Sequence, residues 1–140
     1  MAAAAGAGRA AWIVEVGAGA GFLTTRLLET GAKVLAVEVD LDMAAMLRQV
    51  AGFAPRLTLV EGDILATDVP GMLRAAGAER CVVVGNLPYH ITSPALFRFL
   101  DWSRAHPGLI ERLVVMVQRE VGERIAAKPG TKAYGRLSVE

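Results

Sequence analysis

Short apolar runs rich in β-branched residues alternate with helical stretches along the whole chain, and few architectures accept such an alternation. The runs predicted as strands are Trp12–Val16, Lys33–Glu38, Leu57–Val60, Cys81–Val84 and Leu113–Val117. Between them, a glycine turn over 17–21 opens a helix carrying Leu23, Leu27 and Leu28, which Gly31 ends. A second helix, Asp40 to Val50, is capped by Asp40 or Asp42 and sets Ala44, Leu47 and Val50 near one face. A short helix follows around Met72 to Ala76, then one through Trp102 with Ser93 as cap and Pro94 at its first position. The last predicted helix runs from about Arg119 to Ala127. The unbroken apolar run Cys81–Val84 suits a strand buried on both faces, as in a parallel sheet. Repeated βα units of this kind predict a doubly wound α/β domain, whose ligands bind beyond the carboxyl ends of the strands.

With 140 residues, 54% hydrophobic and 21% charged, the chain is sized for one domain with a core and is too apolar to be disordered. It has no run of the roughly 18 uninterrupted apolar residues that a membrane helix needs. A single cysteine, Cys81, excludes an internal disulfide and a cysteine-rich metal site, so a reducing compartment is expected. The two histidines, His90 and His106, stand 16 positions apart, and no metal site is predicted. Residues 1–11 are a low-complexity alanine and glycine start without the positive region of a secretory signal, which makes the cytoplasm the expected location; residues 12–140 form the domain. The net charge of +1 hides an asymmetry, with five basic and eight acidic residues over 1–70 against ten and six over 71–140. The second half is therefore expected to carry a mildly basic face.

The residues suited to chemistry follow the predicted strands. After the first come Gly17, Gly19 and Gly21, which let the backbone turn tightly and approach a ligand closely. A dinucleotide fingerprint would place glycine or alanine where Phe22 stands. Glu15, an acid inside an apolar strand end, needs donors, and a ligand ammonium is one candidate. Glu38, at the end of the second strand, is placed to accept from both hydroxyls of a ribose, whereas Asp40 and Asp42 suit capping. After the third strand, Asp63 suits an exocyclic amine and Ile64 a purine face, although Gly-Asp is also an ordinary turn pair. After the fourth comes Asn86-Leu87-Pro88-Tyr89. Methylating an exocyclic amine requires a nitrogen lone pair that is delocalised into its ring. The Asn86 side-chain oxygen and the Leu87 carbonyl, accepting the amine hydrogens, would favour an sp³ nitrogen; Pro88 stiffens the turn, and Tyr89 offers a stacking face.

In their order and spacing these blocks resemble the small-subunit ribosomal RNA adenine N6-dimethyltransferases (the KsgA type), within the Rossmann-like S-adenosylmethionine-dependent methyltransferases. Val117-Gln118-Arg119-Glu120-Val121, Glu123-Arg124, Pro129-Gly130-Thr131-Lys132 and Tyr134-Gly135-Arg136-Leu137-Ser138-Val139 resemble the family's later motifs, so that the likeness covers about 12–140. The resemblance implies S-adenosyl-L-methionine as cofactor. Glu15, Gly17, Gly19 and Gly21 would hold its methionine end, Glu38 its ribose, and Asp63 and Ile64 its adenine, with Asn86 beside it. Asn86, Leu87, Pro88 and Tyr89 would hold the target adenine. It implies methylation of N6 on two adjacent adenosines near the 3′ end of small-subunit ribosomal RNA, in the immature small subunit. Arg119, Arg124, Lys128, Lys132 and Arg136 would contact RNA, although Glu120 and Glu123 can pair along the same helix.

Two family parts have no counterpart in the sequence, namely a segment ahead of the first strand and the strands and helical domain after the Tyr134 motif. The sheet is therefore expected to be incomplete on its C-terminal side, with a strand beginning near Glu140. A monomer is expected. Alternatives are a non-catalytic RNA- or ribosome-binding remnant, or an adenine N6-methyltransferase acting on another RNA or on DNA.

Overall fold

The computed structural model describes residues 1, 2, 6, 12–51 and 55–139. The low-complexity start over 1–11 thus lies mostly outside the described residues, as does the side chain of Val50. Five strands, β1 (Trp12–Val16), β2 (Lys33–Glu38), β3 (Leu57–Glu61), β4 (Cys81–Asn86) and β5 (Ile110–Met116), form one sheet in the order β3-β2-β1-β4-β5. All neighbouring pairs run parallel. The helices are α1 (Phe22–Glu29), α2 (Leu41–Ala51), α3 (Val69–Ala75), α4 (Thr92–Ala105), α5 (Arg119–Ile125) and α6 (Arg136–Val139).

The alternation in the strands explains the layers. Ile13, Val34, Ala36, Val82 and Val84 face one way and pack with Leu27 and Leu28 of α1 and Leu47 of α2. Val14, Leu35, Val37 and Val83 face the other way, against Leu73 of α3 and Leu96, Phe99 and Trp102 of α4. Helices thus cover both faces, as a doubly wound sheet requires, and the central strands are mostly apolar on both faces because neither meets water. Burying a side chain such as Phe99 contributes about 1.5–3 kcal/mol. Cys81 lies in the same core, and burial pushes its thiol up to about 12, so it is unreactive. Connection order reverses at β1, whose neighbours are β2 on one side and β4 on the other, which opens a crevice at their carboxyl ends. Among the described residues no helix is long and apolar enough to cross a membrane.

The structure corrects several boundaries. Strands β3 and β4 run on to Glu61 and Asn86, and β5 starts at Ile110 and ends at Met116. Ser93 does not cap α4. The turn from Pro88 to Ile91 leads straight into the helix, and the Pro88 carbonyl accepts both Ile91 N–H and the Thr92 hydroxyl, at 3.1 and 2.9 Å. Pro94 then sits inside the first turn, where its missing N–H has no intrahelical partner anyway. At α2 the choice falls on Asp40, whose Oδ1 accepts from Asp42 N and Met43 N at 2.9 and 3.1 Å. The strand expected to begin near Glu140 falls outside the described residues. Residues Arg136–Val139 form a helical turn, closed by Ser138 N donating to Gly135 O at 2.9 Å and by Gly135 N donating to Ser138 Oγ at 3.2 Å. Ser138 competes for nearby backbone groups, which favours a turn over a strand.

Candidate active site

Every strand end at the crevice supplies a residue. Gly17 after β1, Glu38 ending β2, Asp63 and Ile64 after β3, and Asn86 ending β4 with Pro88 beyond it line one cleft of about 180 Å³. Register explains the convergence: Glu15 and Val16 lie beside Ala36 and Val37 on one flank and Val84 and Gly85 on the other. Of the residues singled out from sequence, these six are brought together, whereas Glu15, Gly19, Gly21, Leu87 and Tyr89 do not line the cleft.

The glycine turn is built from inside. Gly17 N donates to Val37 O at 2.9 Å, Gly19 N to Glu38 Oε2 at 2.7 Å, and Gly21 N to Ala18 O at 3.1 Å. What the turn offers a ligand is therefore space rather than these three donors. Gly17 has φ +70°, a conformation that favours glycine, and a Cβ there would meet Asn86 O at 3.5 Å.

Glu38 is buried and uses one lone pair on each oxygen within the chain, since Asp40 N donates to its Oε1 at 2.9 Å. A carboxylate has about four acceptor positions. Two remain, the number a ribose diol needs. Asp63 is exposed, with Oδ1 held by Leu65 N at 2.9 Å, which leaves its second oxygen for a ligand donor. Ile64 is only 3% exposed, so most of it belongs to the core and an edge of it to the cleft.

Glu15 already has a donor. The fully buried Thr24 hydroxyl donates to Glu15 Oε2 at 2.5 Å. Burial pushes the Glu15 carboxyl up from 4.5 to about 7; the Thr24 hydrogen bond opposes this, and the nearby Glu38 charge adds to it.

The Asn86–Tyr89 loop is bracketed. Leu87 N donates to Met116 O at 3.2 Å, and the Pro88 carbonyl is held by Ile91 and Thr92. Leu87 is buried in the core, Asn86 and Pro88 are exposed, and Tyr89 is 73% exposed with its ring edge-on to His90 at 5.5 Å. The loop thus presents the Asn86 amide and the Tyr89 ring outward. Among the described residues no cluster of three or more metal-ligating side chains is present.

The basic residues separate into distinct surroundings. Arg119 pairs with Glu123 at 2.7 Å, whereas Arg124, Lys132 and Arg136 line a common recess that does not include the exposed Lys128. Sequence reasoning missed Thr24, Thr92 and Gly85. Only Gly85 left a trace, as a glycine inside an otherwise unbroken apolar strand, the mark of a close backbone approach. A Cβ on it would stand 2.8 Å from Val16 O.

Comparison with known proteins agrees with this geometry. The chain is 49% identical over 127 residues to ribosomal RNA small subunit methyltransferase A of Geobacter metallireducens, covering 91% of this chain and 45% of that protein. A dimethyladenosine transferase from Plasmodium falciparum superposes with a TM-score of 0.79 at 30% identity, covering 98% of this chain and 46% of that one. The 23S rRNA methyltransferase ErmE superposes with 0.67 at 29% identity, covering 88% of this chain and 46% of that one. The chain therefore spans less than half the length of these relatives. A sequence model described as ribosomal RNA adenine dimethylase matches residues 9–140, and with Gly17, Glu38, Asp63 and Asn86 around one crevice, the chain belongs to that family.

Proposed function

We propose that this chain transfers methyl groups from S-adenosyl-L-methionine to N6 of two adjacent adenosines near the 3′ end of small-subunit ribosomal RNA. It would act as a monomer on the immature small subunit in the cytoplasm. The observation that carries the reading is the cleft itself, which joins Glu38 and Asp63, suited to a nucleoside, with Asn86 and Pro88, suited to an adenine amine. Family membership and the names of the relatives support it.

In this reading Glu38 accepts from the ribose hydroxyls with its two remaining lone pairs, and Asp63 from the cofactor's adenine amine beside Ile64. Gly17, Gly19 and Gly21 give the methionine end room above Glu15. When bound, the cofactor supplies an electrophilic methyl group on a sulfonium. Asn86 and the Leu87 carbonyl accept the two hydrogens of the target amine, which draws its lone pair out of the ring and aims it into the cleft. The proton released on attack leaves to water, so no general base is required. Tyr89 stacks on the flipped base, for about 1–3 kcal/mol against an unstacking cost of a few kcal/mol. Arg119, Arg124, Lys128, Lys132 and Arg136 meet RNA phosphates.

The test is transfer of labelled methyl from S-adenosyl-L-methionine to unmethylated small ribosomal subunits. Label is expected in N6-methylated adenosine, and Asn86→Ala is expected to lower the rate about 100-fold or more while leaving RNA binding within about twofold. A folded, cofactor-binding chain that yields no N6-methyladenosine, or an Asn86→Ala variant as fast as the parent, would overturn the reading.

A further inference from the structure

A second recess, of about 390 Å³, lies outside the cleft. Its wall runs from Ser93 and Phe97 on α4, past Arg124 on α5, to Lys132, Tyr134 and Arg136 around the start of α6. Three of its nine described lining residues are cations, and among the described residues no carboxylate lines the recess. Among the described residues neither Arg124 nor Lys132 has an ion-pair partner, unlike Arg119 with its Glu123. The walls are tied together. The Arg136 guanidinium lies 4.1 Å over the Phe97 ring, Ser138 Oγ donates to the Arg124 carbonyl, and Tyr134 N donates to Thr131 O at 3.1 Å.

Its position matters as much as its charge. Ser93 is the second residue of α4, and the first, Thr92, holds the Pro88 carbonyl of the target loop. The recess and Tyr89 therefore lie toward the same end of one helix. Tyr134, 38% exposed, adds a ring beside the two unpaired cations. A ring and adjacent cations match the two parts of a nucleotide, an aromatic base and a phosphate, and the volume is in the range of small-molecule sites. An acidic peptide would meet the charges and leave the ring unused.

We propose that this recess is a nucleotide subsite, in which Tyr134 stacks on a base next to the target adenosine and Arg124 and Lys132 hold its phosphate. The proposal rests on the RNA reading above and extends it to a nucleotide that is not itself modified. Stacking against a ring is indifferent to base identity, so the subsite sets register along the strand rather than sequence.

The probe is a fluorescein-labelled oligoribonucleotide containing two adjacent adenosines, titrated into the full chain at several salt concentrations without cofactor. Tyr134→Ala is expected to weaken binding about tenfold and Tyr134→Phe less than about twofold. Lys132→Ala is expected to flatten the dependence of log affinity on log salt by about 0.7. Thermal transitions of the variants should match the parent, because all these side chains are at the surface. Unchanged RNA affinity in both Tyr134→Ala and Lys132→Ala would overturn the proposal. So would equal losses in Tyr134→Ala and Tyr134→Phe, or adenosine monophosphate binding as tightly as the oligonucleotide in a Tyr134-dependent way, which marks a free-nucleotide pocket. Because the assay needs neither cofactor nor turnover, its outcome is separate from that of the methyl-transfer test.

Discussion

Glu15→Gln should remove a penalty that the fold carries at neutral and alkaline pH. The carboxyl is 1% exposed, its one described donor is Thr24 Oγ1, and its pKa stands near 7 instead of 4.5, first because of burial. Between these two values the folded chain keeps a proton that the unfolded chain has released, so this group's contribution to stability falls as pH rises from about 4.5 and is fully lost above about 7. At ~1.4 kcal/mol per pH unit the loss is about 3 kcal/mol. Glutamine keeps the shape and accepts from Thr24, but it does not ionise. Urea unfolding of both proteins at pH 5, 6, 7 and 8 checks this. The advantage of the variant should widen by about 2–3 kcal/mol between pH 5 and pH 8. A difference that stays flat, or one that widens in favour of the parent, would refute the reasoning, because it would mean that Glu15 is ionised throughout and held by donors other than Thr24.

Three further outcomes follow from the geometry. Glu38→Ala should reduce affinity for S-adenosyl-L-methionine about 10–100-fold in a calorimetric titration, since hydrogen bonds to a charged acceptor contribute about 1.5–3 kcal/mol. Gly85→Ala should destabilise the fold by about 1–3 kcal/mol, read as a lower urea midpoint, because the added methyl stands 2.8 Å from the Val16 carbonyl and must push β1 and β4 apart. Thr92→Val keeps the side-chain shape and removes the donor to the Pro88 carbonyl; kcat should fall about tenfold with cofactor affinity unchanged, and Thr92→Ser should restore it.

The central strands were legible because they are largely apolar on both faces, and β1 and β2 run into a glycine turn and an acid. Trp12–Val16 and Lys33–Glu38 match the observed strands residue for residue. Where the pattern failed, a long-range or local polar bond decided the outcome. The start of α4 depends on the Thr92 hydroxyl reaching Pro88, and the helical turn at Arg136–Val139 on Ser138 bonding to Gly135 and Arg124. Neither bond has a hydrophobic period to announce it. In the site, the acids stand out because a carboxylate at an apolar strand end needs a reason. Their donors do not, since a threonine such as Thr24 in a helix is unremarkable until folding sets it nine positions away against Glu15. The basic residues were legible as charges only; the structure divides Arg119, paired with Glu123, from Arg124 and Lys132, which have no ion-pair partner among the described residues.

On the function proposed above, the same bonds set which nucleotides the cleft would accept. A glycine turn that binds a dinucleotide offers backbone N–H groups to a pyrophosphate. Here the N–H groups of Gly17, Gly19 and Gly21 are already given to Val37, Glu38 and Ala18. Glu38 and Asp63 bring carboxylates into the cleft, and Glu15 nearby adds a further negative charge above about 7. An anion brought to this turn would meet carboxylates instead of donors, whereas a ligand carrying hydroxyls, an amine and a positive charge would find an acceptor for each. Titration with a nicotinamide dinucleotide should therefore show no saturable binding where S-adenosyl-L-methionine binds. Comparable affinities for the two would mean that the three glycine N–H groups are released on binding and that the internal bonds do not set the specificity.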